Sequence, residues 1–145
     1  MKTRIAALVL VLAAGCSRPW LVIPGGKLDG TVKPTPESFA FAKNGATIQL
    51  ETRPQDPYSV NVSSAIVDGS LYVSGGDTKT RWVENMIADP EVRARVAGDV
   101  YELRARRVED PAELRAFAAA WLARSTFARD PLKFPEVWVY RLEPR

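Results

Sequence analysis

The chain contains no histidine, and this absence excludes several classes of active site. Its 145 residues offer no imidazole to a Ser–His–Asp triad, to a metal site or to a haem iron. Only one cysteine is present, so the chain can form neither an internal disulfide nor a cysteine-rich zinc site. The sequence therefore predicts no catalytic side chain of these kinds and no metal ligands.

The chain also lacks a strong excess of charge. Its formal net charge is +3, but Lys2 and Arg4 lie in a segment that we expect to be removed. The remaining 18 basic and 17 acidic residues leave a net charge near +1, so the pI of about 9.2 gives no reason to expect a nucleic-acid partner. The length suits one domain, and a hydrophobic content of 46% is ordinary for a globular protein.

The N-terminus has the pattern of an export signal. Lys2 and Arg4 precede an apolar run over residues 5–14, which is too short to span a bilayer as a stable helix. Residues 12–16 read Leu-Ala-Ala-Gly-Cys, which resembles the lipobox of bacterial lipoproteins. The resemblance implies that residues 1–15 are a signal peptide, that cleavage falls before Cys16, and that Cys16 is lipidated. The alternative is an ordinary signal peptide with a chance cysteine.

The residues that follow Cys16 bear on the membrane in which the protein is expected and on the segment that joins the anchor to the folded domain. Two or more acyl chains anchor a protein stably, so the membrane is an expected partner. Ser17 is not the aspartate associated with inner-membrane retention, which favours the periplasmic face of the outer membrane over the inner membrane. Residues 16–38 are rich in proline and glycine and are predicted to be a tether or an irregular lead-in to the domain. Its apolar stretch, residues 20–23, either covers an edge of the folded domain or lies near the lipid headgroups.

Several antiparallel strands are predicted from Phe39 onward. Residues 46–52 alternate in polarity, and residues 58–67 form a longer strand. Asp68-Gly69 is a strong hairpin signal that returns the chain along residues 71–74, with Ile66 facing Leu71. Residues 137–142 form the last predicted strand.

A second hairpin is predicted around Gly98-Asp99. Glycine in the first turn position suits a type II′ turn, which would pair the apolar residues Val96 with Tyr101, Ala94 with Leu103 and Val92 with Ala105. The opposite face would pair Arg95 with Glu102 and Arg93 with Arg104. We expect this face, which also carries Arg106, to be solvated, with a basic patch for a membrane surface as the alternative.

Two helices are predicted between the strands. In the first, Trp82, Val83, Met86 and Ile87 recur at helical spacing, Thr78 or Thr80 can cap the start, and Asp89-Pro90 ends the helix. In the second, Asp110 is the N-cap, Pro111 the first helical residue and Glu113 the partner in a capping box. An apolar stripe along it is predicted to be core: Leu114, Phe117, Ala118, Trp121 and Leu122. The pattern favours a mainly β (α+β) fold over residues 39–145, a small split β-barrel of antiparallel strands with two inserted helices.

Residues 74–108 resemble the split β-barrel flavoproteins, a family that includes relatives of pyridoxamine-phosphate oxidase and deazaflavin-dependent nitroreductases. The matching residues are a Gly-rich strand end, Lys79, Trp82, Asn85, Asp89-Pro90 and the hairpin with Gly98 and Tyr101. The match covers about a third of the chain. It implies a cleft for FMN or a deazaflavin, often at the interface of a homodimer.

The resemblance also implies where a cofactor phosphate would bind. The matching positions are Ser74, Thr78, Lys79 and Arg81, which surround the start of the first helix. Backbone N–H groups at a helix start together with a lysine attract phosphate, and Gly75 and Gly76 would let a ligand approach the backbone closely. The alternative is a solvated helix start.

Two functions of different class therefore remain open. The first is an envelope-anchored lipoprotein that keeps the barrel as a non-catalytic binding or structural module. The second is a flavin- or deazaflavin-dependent oxidoreductase at the cell envelope. The export signal lacks an Arg-Arg pair, which indicates export as an unfolded chain that cannot carry a cofactor. Covalent flavin attachment needs a small residue directly before the acceptor threonine, but Asp77 precedes Thr78. Both observations favour the first function. The absence of histidine argues little against the second, because the cofactor carries the hydride chemistry.

Overall fold

The computed structural model describes residues 25–145, which form seven strands, two α-helices and one 3₁₀ turn. In chain order the elements are β1 (Val32–Lys33), β2 (Thr47–Thr52), β3 (Tyr58–Val67), β4 (Ser70–Ser74), α1 (Arg81–Ala88), β5 (Glu91–Val96), β6 (Asp99–Arg107), α2 (Pro111–Ala123), the 3₁₀ turn (Pro131–Lys133) and β7 (Val139–Pro144). The predicted signal peptide, Cys16 and the apolar stretch 20–23 lie outside the described residues. No helix within residues 25–145 is long and apolar enough to cross a membrane.

Six antiparallel strands close into a barrel. Their order is β6-β5-β2-β3-β4-β7, and β7 pairs back with β6. The seventh strand, β1, adds to β6 in parallel through the pairs Val32–Val100 and Lys33–Tyr101. Closure leaves few unpaired strand edges. The predicted fold class, a mainly β barrel with two inserted helices, is confirmed.

The β3–β4 hairpin forms as the sequence predicts. Asp68 and Gly69 have φ angles of 46° and 75°, and Ile66 pairs with Leu71. A positive φ at both central residues is the condition for a type I′ turn, whose twist matches that of the strands. The last strand begins two residues later than predicted, because Trp138 pairs with the loop after β4 rather than with a strand.

The predicted register of the β5–β6 hairpin is wrong. Ala97 and Gly98, with φ angles of 50° and 92°, form the turn in place of Gly98-Asp99. Tyr101 therefore lies opposite Ala94 instead of Val96. The partner moves by two residues, and side chains alternate with a period of two, so the apolar face still points into the barrel. The error came from taking glycine as the first turn residue when the chain uses it as the second.

The sequence had suggested that the outer face of this hairpin is solvated. In the structure, part of this face is buried or paired. Arg93 lies opposite Glu102 rather than Arg104, and Arg104 forms an ion pair with Glu91 at 3.0 Å. Arg93 is only 8% exposed and forms an ion pair with Glu51 at 3.2 Å.

The burial of Arg93 has its cause in the segment before β1. Leu28 is buried, and its backbone N–H donates to the same Glu51 carboxylate. Gly25 exchanges two backbone hydrogen bonds with Ser59 at the start of β3, each 2.8 Å long. Residues 25–30 therefore cover part of the outer surface of β2 and β5, although they fall in the predicted tether.

Helix α1 covers one end of the barrel. Trp82, Val83 and Met86 join the barrel core, but Ile87 is 53% exposed and faces solvent. Asn85 is also buried, and its amide donates to the Thr52 hydroxyl at the end of β2 at 2.9 Å. The helix ends before Pro90, at Asp89, as predicted, while Thr80 takes the N-cap position without a side-chain cap bond.

Helix α2 packs on the outside of the barrel. Phe117 is buried in a second apolar cluster with Ala65, Tyr72 and Val139, and Ala118 is also buried. The predicted burial of the whole stripe is wrong at its C-terminal end, since Trp121 is only partly buried and Leu122 is 39% exposed. The end of the helix meets the segment before β2, where the Asn44 amide donates to the Ala120 carbonyl at 2.8 Å, and Arg124 stacks on the Trp121 ring.

An ionic cluster fixes the start of α2 to the barrel. Asp110 caps the helix by accepting from the Glu113 N–H at 2.8 Å. The Glu113 carboxylate does not complete a capping box; it accepts from Arg106 and from the Tyr72 hydroxyl, both at 2.9 Å. The hydrogen bonds from Arg106 are the main cause of a lowered pKa at Glu113. Burial is the main cause that raises the pKa of Tyr72 to about 12, and its hydrogen bond to Glu113 adds to it.

The corrected turn yields a prediction about stability. Ala97 adopts a left-handed conformation, which is costly for alanine and much less so for asparagine. Ala97→Asn should therefore raise the free energy of unfolding by about 1 kcal/mol, measured by urea denaturation. Gly98→Ala is the opposite control and should lower it, since Gly98 also has a positive φ. A destabilising Ala97→Asn would contradict the observed register.

The ionic cluster yields a prediction about pH. Because the folded state lowers the pKa of Glu113 below its usual value of 4.5, this group stabilises the fold fully above that value. The contribution is lost as the pH falls through the lower, folded-state pKa. Glu113→Gln should therefore weaken the decline in unfolding free energy between pH 5 and pH 2, measured by urea denaturation across that range.

The matched control is Glu84→Gln, at an exposed position on α1. It should change the pH dependence of the unfolding free energy less than Glu113→Gln does, because the Glu84 carboxylate has no hydrogen-bond or ion-pair partner among residues 25–145. Equal effects of the two substitutions would show that the ion pairs of Glu113 do not stabilise the fold.

Candidate cofactor-binding site

The loop between β4 and α1 is held against the lead-in to β7. The Gly75 N–H donates to the Trp138 carbonyl at 2.9 Å, and the Trp138 N–H donates to the Gly76 carbonyl at 3.1 Å. The Ser74 hydroxyl oxygen accepts from the Gly76 N–H at 3.1 Å. These bonds fix the path of the chain from the strand end to the helix start.

The two glycines of this loop have different roles. A Cβ on Gly75 would lie 2.7 Å from Cγ2 of Val83, so the missing side chain allows α1 to pack on the strand end. Gly76 has a φ of 67° and no heavy atom within 4 Å of a built Cβ. At Gly75, α1 therefore occupies the space in which the sequence had suggested a ligand. Of the two glycines, only Gly76 borders open space.

The four predicted phosphate-binding residues surround the start of α1. Ser74 is half-buried, while Thr78, Lys79 and Arg81 are exposed. The Thr78 hydroxyl donates to the Asp77 carboxylate at 3.2 Å, which places a negative charge on that side of the loop. The structure therefore keeps Ser74, Lys79 and Arg81 available to an anion but puts Thr78 beside a carboxylate that would repel one.

Lys79 meets a second cation on the indole of Trp138. Its Nζ lies 4.9 Å from the centre of the ring, and the guanidinium carbon of Arg107 lies 3.9 Å from the same centre. Trp138 is 3% exposed, so the two cations cover an otherwise buried ring. Within residues 25–145, neither Lys79 nor Arg107 forms an ion pair with a carboxylate. We call Lys79, Arg107 and Trp138 the cationic site.

Sequence reasoning did not identify Arg107. It is the last residue of β6, and Lys79 precedes α1 by two residues, so no local pattern links the two. The pairing of β6 with β7 brings them together, because Arg107 lies opposite Tyr140, two residues after Trp138. The only signal in the sequence was the Arg106-Arg107 pair at the end of a predicted strand.

Buried polar atoms without partners lie next to the cationic site. Among the described residues, the Trp138 indole nitrogen, the Tyr140 hydroxyl and the Thr80 hydroxyl have no hydrogen-bond partner. Burial raises the pKa of Tyr140, and the charge of Arg107 offsets part of this rise. Buried polar atoms are normally hydrogen-bonded, so these three atoms have hydrogen-bonding capacity that a water or a ligand can use.

The cationic site can bind an anion at a net gain. A solvent-exposed cation such as Lys79 gains about 0.5–1 kcal/mol over an aromatic ring, whereas a hydrogen bond from a cation to phosphate gains roughly 1.5–3 kcal/mol. Lys79 therefore gains on the order of 1 kcal/mol by moving from Trp138 to a phosphate. The residues present fit the phosphate of a flavin-type cofactor.

A surface cleft lies away from the cationic site. It encloses about 510 Å³ between β1 and the C-terminus. Its charged residues are already paired, Lys33 with Asp99 and Arg145 with Glu102. This cleft is therefore a poor candidate for a charged ligand. The described residues also contain no group of three or more acidic or cysteine side chains that could hold a metal ion.

Comparison with known proteins gives one family match in sequence. Residues 59–129 match the sequence model of the family described as F420H(2)-dependent quinone reductase. The domain resembles the flavin- and deazaflavin-binding split β-barrel proteins. The matched segment runs from the start of β3 past the end of α2, so it includes Lys79 and Arg107 but not Trp138. No protein of curated function matches the chain in sequence.

Solved structures share the fold at low sequence identity. A protein of unknown function from Agrobacterium tumefaciens superposes with a TM-score of 0.60 at 22% identity, covering 80% of this chain and 58% of that one. A putative pyridoxamine 5'-phosphate oxidase from Listeria innocua gives 0.55 at 18% identity, covering 68% and 83%. An FAD-binding protein from Mesorhizobium loti gives 0.51 at 20% identity, covering 68% and 78%. The chain thus spans little more than half of the Agrobacterium protein.

Proposed function

We propose that this chain is a lipid-anchored envelope protein whose split barrel binds a phosphate-bearing flavin or deazaflavin at the cationic site. The observation that carries the proposal is the convergence of Lys79 and Arg107 on Trp138, without a carboxylate partner among residues 25–145. Two uncompensated cations beside a helix start are suited to an anion. The matching family and the FAD-binding relative from Mesorhizobium loti support a flavin-type ligand.

Each residue of the site has a defined part in binding. Lys79 and Arg107 hold the phosphate, and the Ser74 hydroxyl keeps its hydrogen free to donate to it. Arg81, exposed in the first turn of α1, adds positive charge at the same end of the barrel. A bound cofactor of this class supplies hydride transfer. The chain's own residues bind and orient the cofactor, and we therefore propose a binding module first.

The second candidate is a deazaflavin-dependent quinone reductase at the envelope. The match of residues 59–129 to the F420H(2)-dependent quinone reductase family favours it. The two candidates share the cationic site, and only the reductase transfers a hydride once the cofactor is bound. Oxidation of a reduced deazaflavin by a quinone analogue, monitored through the deazaflavin absorbance, separates them: the quinone reductase turns over repeatedly, whereas the binding module does not.

Removal of either cation should weaken cofactor binding. The net gain of about 1 kcal/mol per cation corresponds to a roughly fivefold rise in Kd for Lys79→Ala and for Arg107→Ala. The measurement is a titration of FMN and of a reduced deazaflavin at fixed salt, monitored by fluorescence. Riboflavin, which lacks the phosphate, should bind both variants and the unmodified chain alike.

The matched control is Lys43→Ala. Lys43 is exposed and precedes the start of β2, whereas α1 contacts the other end of this strand through Thr52. Lys43 therefore lies at the end of the strand away from the cationic site. Equal losses in Lys43→Ala and Lys79→Ala would indicate diffuse charge in place of a site. No binding of either cofactor by the unmodified chain would contradict the proposal. Arg93 is unsuitable as a control, because it is buried in an ion pair.

The anchor has its own test. The lipobox-like sequence at residues 12–16 supports lipidation of Cys16, and Ser17 supports the outer membrane over the inner one. Cells given a clickable palmitate analogue should label the unmodified chain but not Cys16→Ser, and the labelled chain should fractionate with the outer membrane. Equal labelling of both chains would contradict the anchor without affecting the cofactor site. The homodimer that the resemblance implies stays a prediction.

A further inference from the structure

The barrel core holds a tyrosine whose hydroxyl has no partner within residues 25–145. Tyr140 is the second residue of β7 and is only 2% exposed, and its hydroxyl forms no hydrogen bond. The indole N–H of Trp138, which is 3% exposed, is also unpartnered. Both side chains belong to the apolar cluster inside the barrel. Leaving a buried donor unpaired costs stability, so a protein retains one where a bound molecule uses it or where a water pairs it.

A second buried tyrosine shows how this fold pairs such a group. Tyr72 is 3% exposed, and its hydroxyl donates to the Glu113 carboxylate at 2.9 Å. Tyr72 lies in the apolar cluster beneath α2, outside the barrel, whereas Tyr140 lies inside it. The fold thus supplies a partner to one buried tyrosine hydroxyl and none to the other.

Arg107 of the cationic site lies beside Tyr140. The two residues are directly opposite in the β6–β7 pairing, so their side chains leave the same face of the sheet about 5 Å apart. That face is the interior one, because Leu103 and Ala105, which alternate with Arg107, belong to the barrel core. Arg107 is at the end of its strand, and its guanidinium reaches the Trp138 ring. Tyr140 is therefore a neighbour of the cationic site on its inner side.

The Tyr140 hydroxyl is a neutral donor. Burial raises the pKa of Tyr140, and the positive charge of Arg107 offsets part of this rise. The phenol therefore keeps its proton at neutral pH and can donate a hydrogen bond without carrying charge. The effect of Arg107 is electrostatic, which agrees with a hydroxyl close to the guanidinium.

We propose that the Tyr140 hydroxyl is a further binding residue of the cationic site and donates a hydrogen bond to an oxygen of the phosphate that Lys79 and Arg107 hold. This role rests on the proposed cofactor binding and adds a neutral donor on the barrel side of the phosphate. A phosphate group has three strong acceptor oxygens, so it can accept from two cations and a phenol at once. The hydroxyl then gains in the complex the partner that it lacks in the free chain.

The phosphate can reach this donor from the α1 end of the barrel. Tyr140 lies opposite the last residue of β6, so it is close to this end. Lys79 and Arg107 are exposed and cover the Trp138 ring, and they uncover it when they turn to a phosphate. On the other side of Trp138, the loop passes through Gly76, which borders open space.

Two measurements on Tyr140→Phe in the full chain test this role. The first is a fluorescence titration of FMN, of a reduced deazaflavin and of riboflavin at fixed salt. We expect the Kd of the phosphate-bearing cofactors to rise roughly three- to tenfold, the net effect of one hydrogen bond. The Kd of riboflavin, which lacks the phosphate, should stay unchanged. The second is urea denaturation without a ligand, in which the midpoint should stay equal or rise, because the substitution removes a buried hydroxyl without a partner.

The matched control is Tyr72→Phe, which removes the same atom from the other buried tyrosine. It should lower the urea midpoint, because the Glu113 carboxylate loses a donor. It should leave the Kd of FMN unchanged, because Tyr72 lies on the outer side of the barrel. Opposite patterns in the two variants separate a residue that binds the ligand from one that holds the fold.

Three results would contradict this role. An unchanged Kd for FMN in Tyr140→Phe would overturn it, and a lowered urea midpoint beside that result would assign the hydroxyl to a buried water. An equal rise in Kd for FMN and riboflavin would place the hydrogen bond on another part of the ligand. Weaker binding in Lys79→Ala with unchanged binding in Tyr140→Phe would leave the cationic site intact and remove Tyr140 from it. A chain that binds neither FMN nor the deazaflavin would contradict the cofactor site itself, and this role with it.

Discussion

The pairing of β7 with both β4 and β6 is the interaction on which the rest of the structure depends. Leu142 lies opposite Leu71 on one side and Ala105 on the other, so one short strand closes the barrel. Without it, β4 and β6 would each present a free edge and the interior side chains would be open to water. The last six or seven residues of the chain thus complete a core whose other strands lie much earlier in the sequence.

Closure also creates the cationic site. Lys79, Arg107 and Trp138 come from three separate parts of the chain and meet because β6 and β7 are neighbours. Two adjacent residues of β6 therefore contact different partners. Arg106 is held outside by Glu113 and Glu143, at 2.9 and 2.7 Å, whereas Arg107 turns to Trp138 and has no carboxylate partner among residues 25–145. The difference follows from the alternation of side chains along a strand.

The distribution of paired and unpaired charge separates structural arginines from functional ones. Arg93 is buried against Glu51 beneath residues 25–30, and loss of either partner would leave an uncompensated buried charge. Arg106, whose side chain is 40% exposed, links α2 to the barrel through its ion pair with Glu113 at 2.9 Å. Lys79 and Arg107 have no carboxylate partner among residues 25–145, and they meet on Trp138 at the α1 end of the barrel. An anion has something to gain at that place.

The sequence by itself determined the elements and their inward faces. Alternating apolar residues defined β3, β4 and the hairpin β5–β6, and Asp110-Pro111 defined the start of α2, because these signals are local. It missed the register of β5–β6, since Gly98 suits either turn position and a shift of two residues leaves the faces unchanged. The burial of Arg93, the exposure of Leu122 and the place of Arg107 were decided only by the tertiary structure. Each depends on which distant segment lies across a residue, and strand pairing over long sequence separations sets that.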